Sequence, residues 1–263
     1  MNPLMLVLKA GVRDLARNRW LLAYGIVLAV ITEALFFFGG TGHQVVLSLL
    51  NATLLLVPLV ALVFGAMHVY ASREFIELLL AQPLSRAAVF TGLYLGLAIP
   101  LAGAFLAGIG LPMLIHGIRG GAPMLALTFL ALGGALLTAA FAALAMAIAL
   151  RTDDRLRGMA MALGAWFLFT IGYDGAVLAV VSAFGDWPLE RPLLALMLGN
   201  PVDVARVLVL TSLDASALLG YTGALFRRAF GTGIGPAIAL VTLTLWAVIP
   251  VVFARRRFLR RDF

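Results

Sequence analysis

Long apolar runs alternate along the chain with short charged islands, and the lengths of the runs set the architecture. Six runs reach the roughly 20 residues that a helix needs to cross a hydrocarbon core: Trp20–Phe38, Val45–Tyr70, Val89–His116, Met124–Leu150, Gly158–Phe184 and Gly235–Ala254. Several exceed that length, so tilt or extension past the bilayer is expected. Gly172-Tyr173-Asp174-Gly175 interrupts the fifth run, which reads either as one continuous span or as a shorter span followed by a re-entrant piece. The pattern therefore predicts an all-α membrane protein. It divides into an interfacial helix (1–19), spans one to five (20–184), an outer helical loop (185–234), and a sixth span with a basic tail (235–263).

Composition agrees with this division. The chain is 63% hydrophobic and 12% charged, with a mean hydropathy of +1.08, against about 25% charged residues in an average soluble domain. No cysteine is present, which removes disulfides, thiolate metal sites and thiol nucleophiles. The first 19 residues carry Lys9, Arg13, Arg17 and Arg19 with no small-residue cleavage pattern after them, so no cleavable signal is expected. The net charge of +7 reports topology rather than nucleic-acid binding. Fourteen Lys and Arg residues fall at the N-terminus, in the loops after spans two and four, and in the tail; five fall on the other side. The excess marks the cytoplasmic face, so both termini are expected inside.

Two segments outside the spans have recognisable patterns. In residues 3–18, Lys9, Arg13 and Arg17 share one face while Leu4, Leu8, Val12 and Leu15 share another, which suits a helix lying against anionic lipid. The plainer reading is a positive flank that only fixes topology. In the outer loop, Asn200-Pro201-Val202-Asp203 has the cap, the first-position proline and the first-turn acid of a helix start. Asp214 would cap a second helix through Tyr221 to Arg227 and Arg228, with Gly231 ending it. These two helices read as an outer lid or docking platform.

Catalytic motifs are missing. There is no Gly-x-x-x-x-Gly-Lys-Ser/Thr loop, and Lys9 is the only lysine. His43, His68 and His116 are too scattered for a zinc site, and the nine methionines read as packing rather than as Cu(I) ligands. No metal or cofactor is expected on this chain. Glu33, Asn51 and Asp174 are the polar residues within spans that a translocation path would use. The plainer roles are a reach to the interface for Glu33, an interhelical hydrogen bond for Asn51 and a cap for Asp174.

The most informative island is Ser72–Arg86. Arg73, Glu74 and Glu77 stand beside Leu78, Leu79 and Leu80, and Pro83 ends the helix they make. A short amphipathic helix at the membrane edge suits docking of a soluble partner, through Arg73, Glu74, Glu77, Leu78, Leu79 and Gln82. The segment resembles the coupling helix of type-2 ABC (ABC-2) exporter permeases, whose Leu-Leu-x-x-Pro-hydroxyl ending is matched by Leu79-Leu80-Ala81-Gln82-Pro83-Leu84-Ser85. The resemblance implies an exporter fold of the type V kind, a homodimer, and a separate cytoplasmic ABC ATPase that uses ATP and Mg.

A narrower resemblance covers Gly199-Asn200-Pro201-Val202-Asp203-Val204-Ala205-Arg206-Val207-Leu208 and Asp214 with Ala217–Ala224. It is to the permeases of transporters that serve maturation of nitrous oxide reductase. That implies a periplasmic β-helical copper-handling partner, meeting the outer loop at Asn200, Asp203, Arg206, Tyr221, Arg227 and Arg228, and a sulfur species as cargo for a copper–sulfide centre. Two other readings stay open: a generic exporter of drugs, lipids or polysaccharide, and a mechanotransmitter that moves a periplasmic partner while nothing crosses.

Overall fold

The computed structural model describes residues 3–38, 42–117, 124–184, 190–213 and 220–260, and every regular element among them is a helix. In chain order these are α1 (Pro3–Ala16), α2 (Arg19–Phe38), α3 (Gly42–Ala71), α4 (Arg73–Leu80), α5 (Arg86–Pro112), α6 (Met124–Ala149), α7 (Arg155–Phe167), α8 (Tyr173–Ala183), α9 (Glu190–Leu198), α10 (Pro201–Leu210) and α11 (Gly220–Arg260). A π-helical turn, Met113–Gly117, extends α5, and another, Leu168–Gly172, joins α7 to α8.

Six stretches are long and apolar enough to span a membrane: α2, α3, Arg86–His116, α6, Arg155–Ala183 and Gly233–Arg260. They coincide with the six apolar runs. The fifth continues through the π-helical turn, so the Gly172–Gly175 interruption is an extra-residue bulge in one span. The sixth runs further than its apolar composition suggests, and Arg255, Arg256, Arg257 and Arg260 are helical rather than a loose tail.

α6 is the axis of the bundle. It is rich in Ala and Gly, so its neighbours α3, α5, α10 and α11 approach closely without side chains in the way. A Cβ on Gly134 would lie 2.1 Å from the ring of Phe105, and one on Gly65 of α3 would lie 2.8 Å from Ala145. α2 is attached differently. Its buried residues Leu21, Tyr24, Leu28 and Thr32 form a single stripe against α5, where a Cβ on Gly108 would sit 2.6 Å from the Gly25 carbonyl. α1 also packs on α5, with Gly11 and Gly96 in backbone contact and Val7 and Leu15 buried. Lys9, Arg13 and Arg17 point to the outside of that helix.

The residues expected to form an outer lid do something else. α9 and α10 are bent by 99° to each other, and α10 is buried along almost its whole length, against α6 and α11. The bend reaches deep: the Trp246 indole donates to the Leu198 carbonyl at 3.1 Å, and Asn200 reaches the Phe169 carbonyl at 3.0 Å. Phe169 and Trp246 lie in the middle third of their spans and stack edge to face. The pair is thus a broken, inward-dipping element. Val202, Val204, Val207, Leu208, Val209 and Leu210 explain why, because so apolar a helix is stable inside the bundle. At Gly231 the backbone adopts φ +66°, ψ −176°, a conformation reserved in practice for glycine. It separates the helical segment carrying Tyr221, Arg227 and Arg228 from the sixth span.

Candidate functional site

The arginine-rich end of the bundle is built around the carbonyls that close α6. A helix leaves its last four carbonyls without intrahelical partners; here Arg73 binds one of them, Ala149, and two arginines bind the carbonyls of Leu150, Thr152 and Asp153 just beyond the helix end. Arg73, the first residue of α4, donates from Nη2 to the carbonyls of Thr152 (2.8 Å) and Ala149 (3.4 Å). Its Nη1 reaches both the carbonyl and the carboxylate of Asp153, at 3.1 Å each. The guanidinium lies 4.7 Å from the Tyr70 ring centre, and the Tyr70 hydroxyl donates to the same Thr152 carbonyl. Arg257 of α11 donates to the Leu150 carbonyl at 3.3 Å. Asp154 then caps α7 by accepting from the backbone N–H groups of Leu156 and Arg157. One fork-shaped side chain thereby ties α4 to the joint between the fourth and fifth spans.

α4 divides cleanly into two faces. Ile76 and Leu79 are buried, at 3% and 9% exposure, while Leu78 is 66% and Phe75 44% exposed. Glu74, Glu77 and Gln82 are exposed as well. Two expectations change. Arg73 is engaged within its own chain rather than offered to a partner, because α6 ends within its reach. Leu79 faces the bundle, because it lies one turn after Ile76 on the inner stripe. Phe75 takes its place in the outward apolar pair; its signal was the i, i+3 spacing to Leu78.

A second polar cluster sits at the α9–α10 bend. Asn200 accepts from the Val202 N–H, as a cap should, and its amide donates to Asp203 at 3.1 Å and to the Phe169 carbonyl in the π-helical turn. Arg206 is shared by two acids, Asp203 at 3.0 Å and Asp174 at 3.3 Å. The Tyr173 hydroxyl donates to the Leu196 carbonyl. Asn200 (fully buried) and Asp203 (9% exposed) therefore face the fifth span, not an outer partner, because α10 folds inward. Asp174 and Arg206 stay partly open, with side chains 48% and 34% exposed.

The remaining expected residues are dispersed. Glu33 pairs with His116 at 2.9 Å across the first and third spans, and Asn51 is exposed on α3. The backbone at Tyr221, Arg227 and Arg228 is helical, and Asp214 lies outside the described residues.

Six apolar spans, with an amphipathic helix between the second and third clamped to the joint of the fourth and fifth, define a multi-pass membrane protein of the transporter-permease class. The family model for "ABC-2 family transporter protein" matches residues 5–263, and the chain belongs to that family. Among curated relatives, "Probable ABC transporter permease protein NosY" of Pseudomonas aeruginosa is 29% identical over 264 residues, covering 94% of each chain. The protein of the same name from Stutzerimonas stutzeri is 26% identical over 278 residues, covering 99% of each.

Proposed function

We propose that this chain is the membrane subunit of an ATP-driven exporter working as a homodimer in a bacterial inner membrane, with its arginine-rich end in the cytoplasm. A separate ABC ATPase, which alone binds ATP and Mg, docks on the outer face of α4. Phe75 and Leu78 supply the apolar anchor and Glu74, Glu77 and Gln82 the polar rim. Arg73 then acts as a positioning residue. When the ATPase closes, a pull on α4 passes through its fork to residues 149–154 and so to the start of α7. The fifth span carries that motion to the π-helical turn and to Asp174, which shares Arg206 with α10. The observation that carries this reading is the Arg73 clamp, since it joins the amphipathic helix to the one span that also bears the intramembrane ion network. The relatives' names support the narrower assignment: a NosY-type permease serving assembly of the copper–sulfide centre of nitrous oxide reductase, with a sulfur species as cargo. A periplasmic copper-handling β-helical protein is the partner on the far side, and the segment with Tyr221, Arg227 and Arg228 is its docking ground.

The test is purification of the intact complex from native membranes in mild detergent, followed by ATPase assays in proteoliposomes. Recovery of an ATPase and a β-helical periplasmic protein is expected, with transport-coupled ATPase activity lost in Leu78→Ala. Recovery of no ATPase would remove the ABC mechanism. An ATPase that stays coupled while no sulfur species crosses would leave a mechanotransmitter acting on the periplasmic partner.

A further inference from the structure

At the arginine-rich end, α6, α7 and α11 leave between them an open cleft of about 830 Å³. One wall is apolar, with Ile148, Met161 and Phe253; Phe253 is 62% and Met161 37% exposed. The rim carries Arg151, Arg256, Arg257 and Arg260. Arg257 is held by the Leu150 carbonyl. Arg151, Arg256 and Arg260 are exposed and form no ion pair among the described residues. The one acid on the rim, Asp153, is engaged by Arg73. Arg260 lies seven residues, about 10 Å, along the helix from Phe253, while Arg256 and Arg151 lie about one turn, ~5 Å, beyond Phe253 and Ile148, so the apolar wall is set deeper than the arginines.

We propose that this cleft is a binding site for an anionic phospholipid, its phosphate held by Arg151, Arg256 and Arg260 and its acyl chains laid along Ile148, Met161 and Phe253. A soluble anion would use the guanidinium groups and leave the apolar wall idle. A neutral lipid would use the wall and leave uncompensated positive charge. Anionic phospholipid satisfies both, and the exposed wall lets it enter sideways from the bilayer. Bound there, it would bridge the joint of the fourth and fifth spans to the end of the sixth.

The experiment is native mass spectrometry of the delipidated full chain, titrated with phosphatidylglycerol or with phosphatidylcholine of the same acyl chains. Phosphatidylglycerol is expected to bind at least about tenfold more tightly, and each Arg→Gln change at 151, 256 or 260 to weaken it by about fivefold. Arg19→Gln, an exposed cation at the start of α2 and away from the cleft, should leave it unchanged. Equal binding of the two lipids by the unmodified chain overturns the proposal without reference to any variant. So does undiminished phosphatidylglycerol binding in the triple variant, or an equal loss in Arg19→Gln. A triple variant that keeps its lipid and loses a co-purifying ATPase would assign the arginines to a protein partner instead.

Discussion

Arg73 holds the joint at the start of the fifth span and Arg206 holds Asp174, about two thirds of the way along it, and they do so by different chemistry. Arg73 binds mostly backbone carbonyls, which are fixed dipoles with nowhere to go, and its side chain is 27% exposed. Arg206 is shared by two carboxylates of unequal burial, Asp203 at 12% and Asp174 at 48% side-chain exposure. A cation on carbonyl dipoles makes a stiff joint. A cation between two acids has two places to sit. In the proposed coupling, rigid attachment beside α4 and exchangeable attachment at Asp174 are what a lever requires.

The largest expected effect tests the exchangeable attachment. Arg206→Ala removes the cation shared by buried Asp203 and by Asp174 and should destabilise the chain by about 3 kcal/mol, measured by thermal unfolding in detergent. In an Asp203→Asn background the same change should cost less than half as much. Equal costs in the two backgrounds would mean that the network is decorative. Next is Leu78→Ala, expected to weaken ATPase binding about thirtyfold, near 2 kcal/mol, with no change in melting temperature. A melting temperature that falls with binding would place Leu78 in the fold rather than on the docking face. Arg73→Lys keeps the charge but loses the fork. It should cost about 1.5 kcal/mol of stability and lower coupled ATPase activity while ATPase binding persists; loss of binding instead would make Arg73 a contact residue. Smallest is Glu74→Gln, expected to change the ATPase association rate by less than about tenfold and mainly at low salt. A salt-independent loss would move Glu74 from the rim to the anchor.

The spans were legible because lipid imposes a simple length rule on apolar runs. Helix starts were legible where a local cap decides them, as at Asn200-Pro201. What failed was the inference from position to environment. Residues 201–210 follow a span and so read as part of an outer loop, yet apart from Asp203 and Arg206 they are apolar and the helix they form is buried. Only the three-dimensional fit against α6, where Ala205 and Leu208 meet Gly133, tells an inward-dipping helix from an outer one. Arg73 differs from its sequence expectation for a related reason. A charged residue on an amphipathic island looks free until the end of α6, more than seventy residues later in the chain, is brought beside it.

The inward dip of α10 also orders events during synthesis. α6 is complete at residue 149, whereas α10 begins at residue 201. At about 5–20 residues per second those positions leave the ribosome roughly 3 to 10 s apart. Throughout that interval the Ala- and Gly-lined side of α6 that receives α10 lacks its partner. The polar group of Asn200, Asp203 and Arg206 must then be threaded beside a fifth span already laid down. Assembly therefore ends with a late insertion, and a chain stalled or truncated in the α9–α10 segment would carry all five earlier spans with an open seam along its axis.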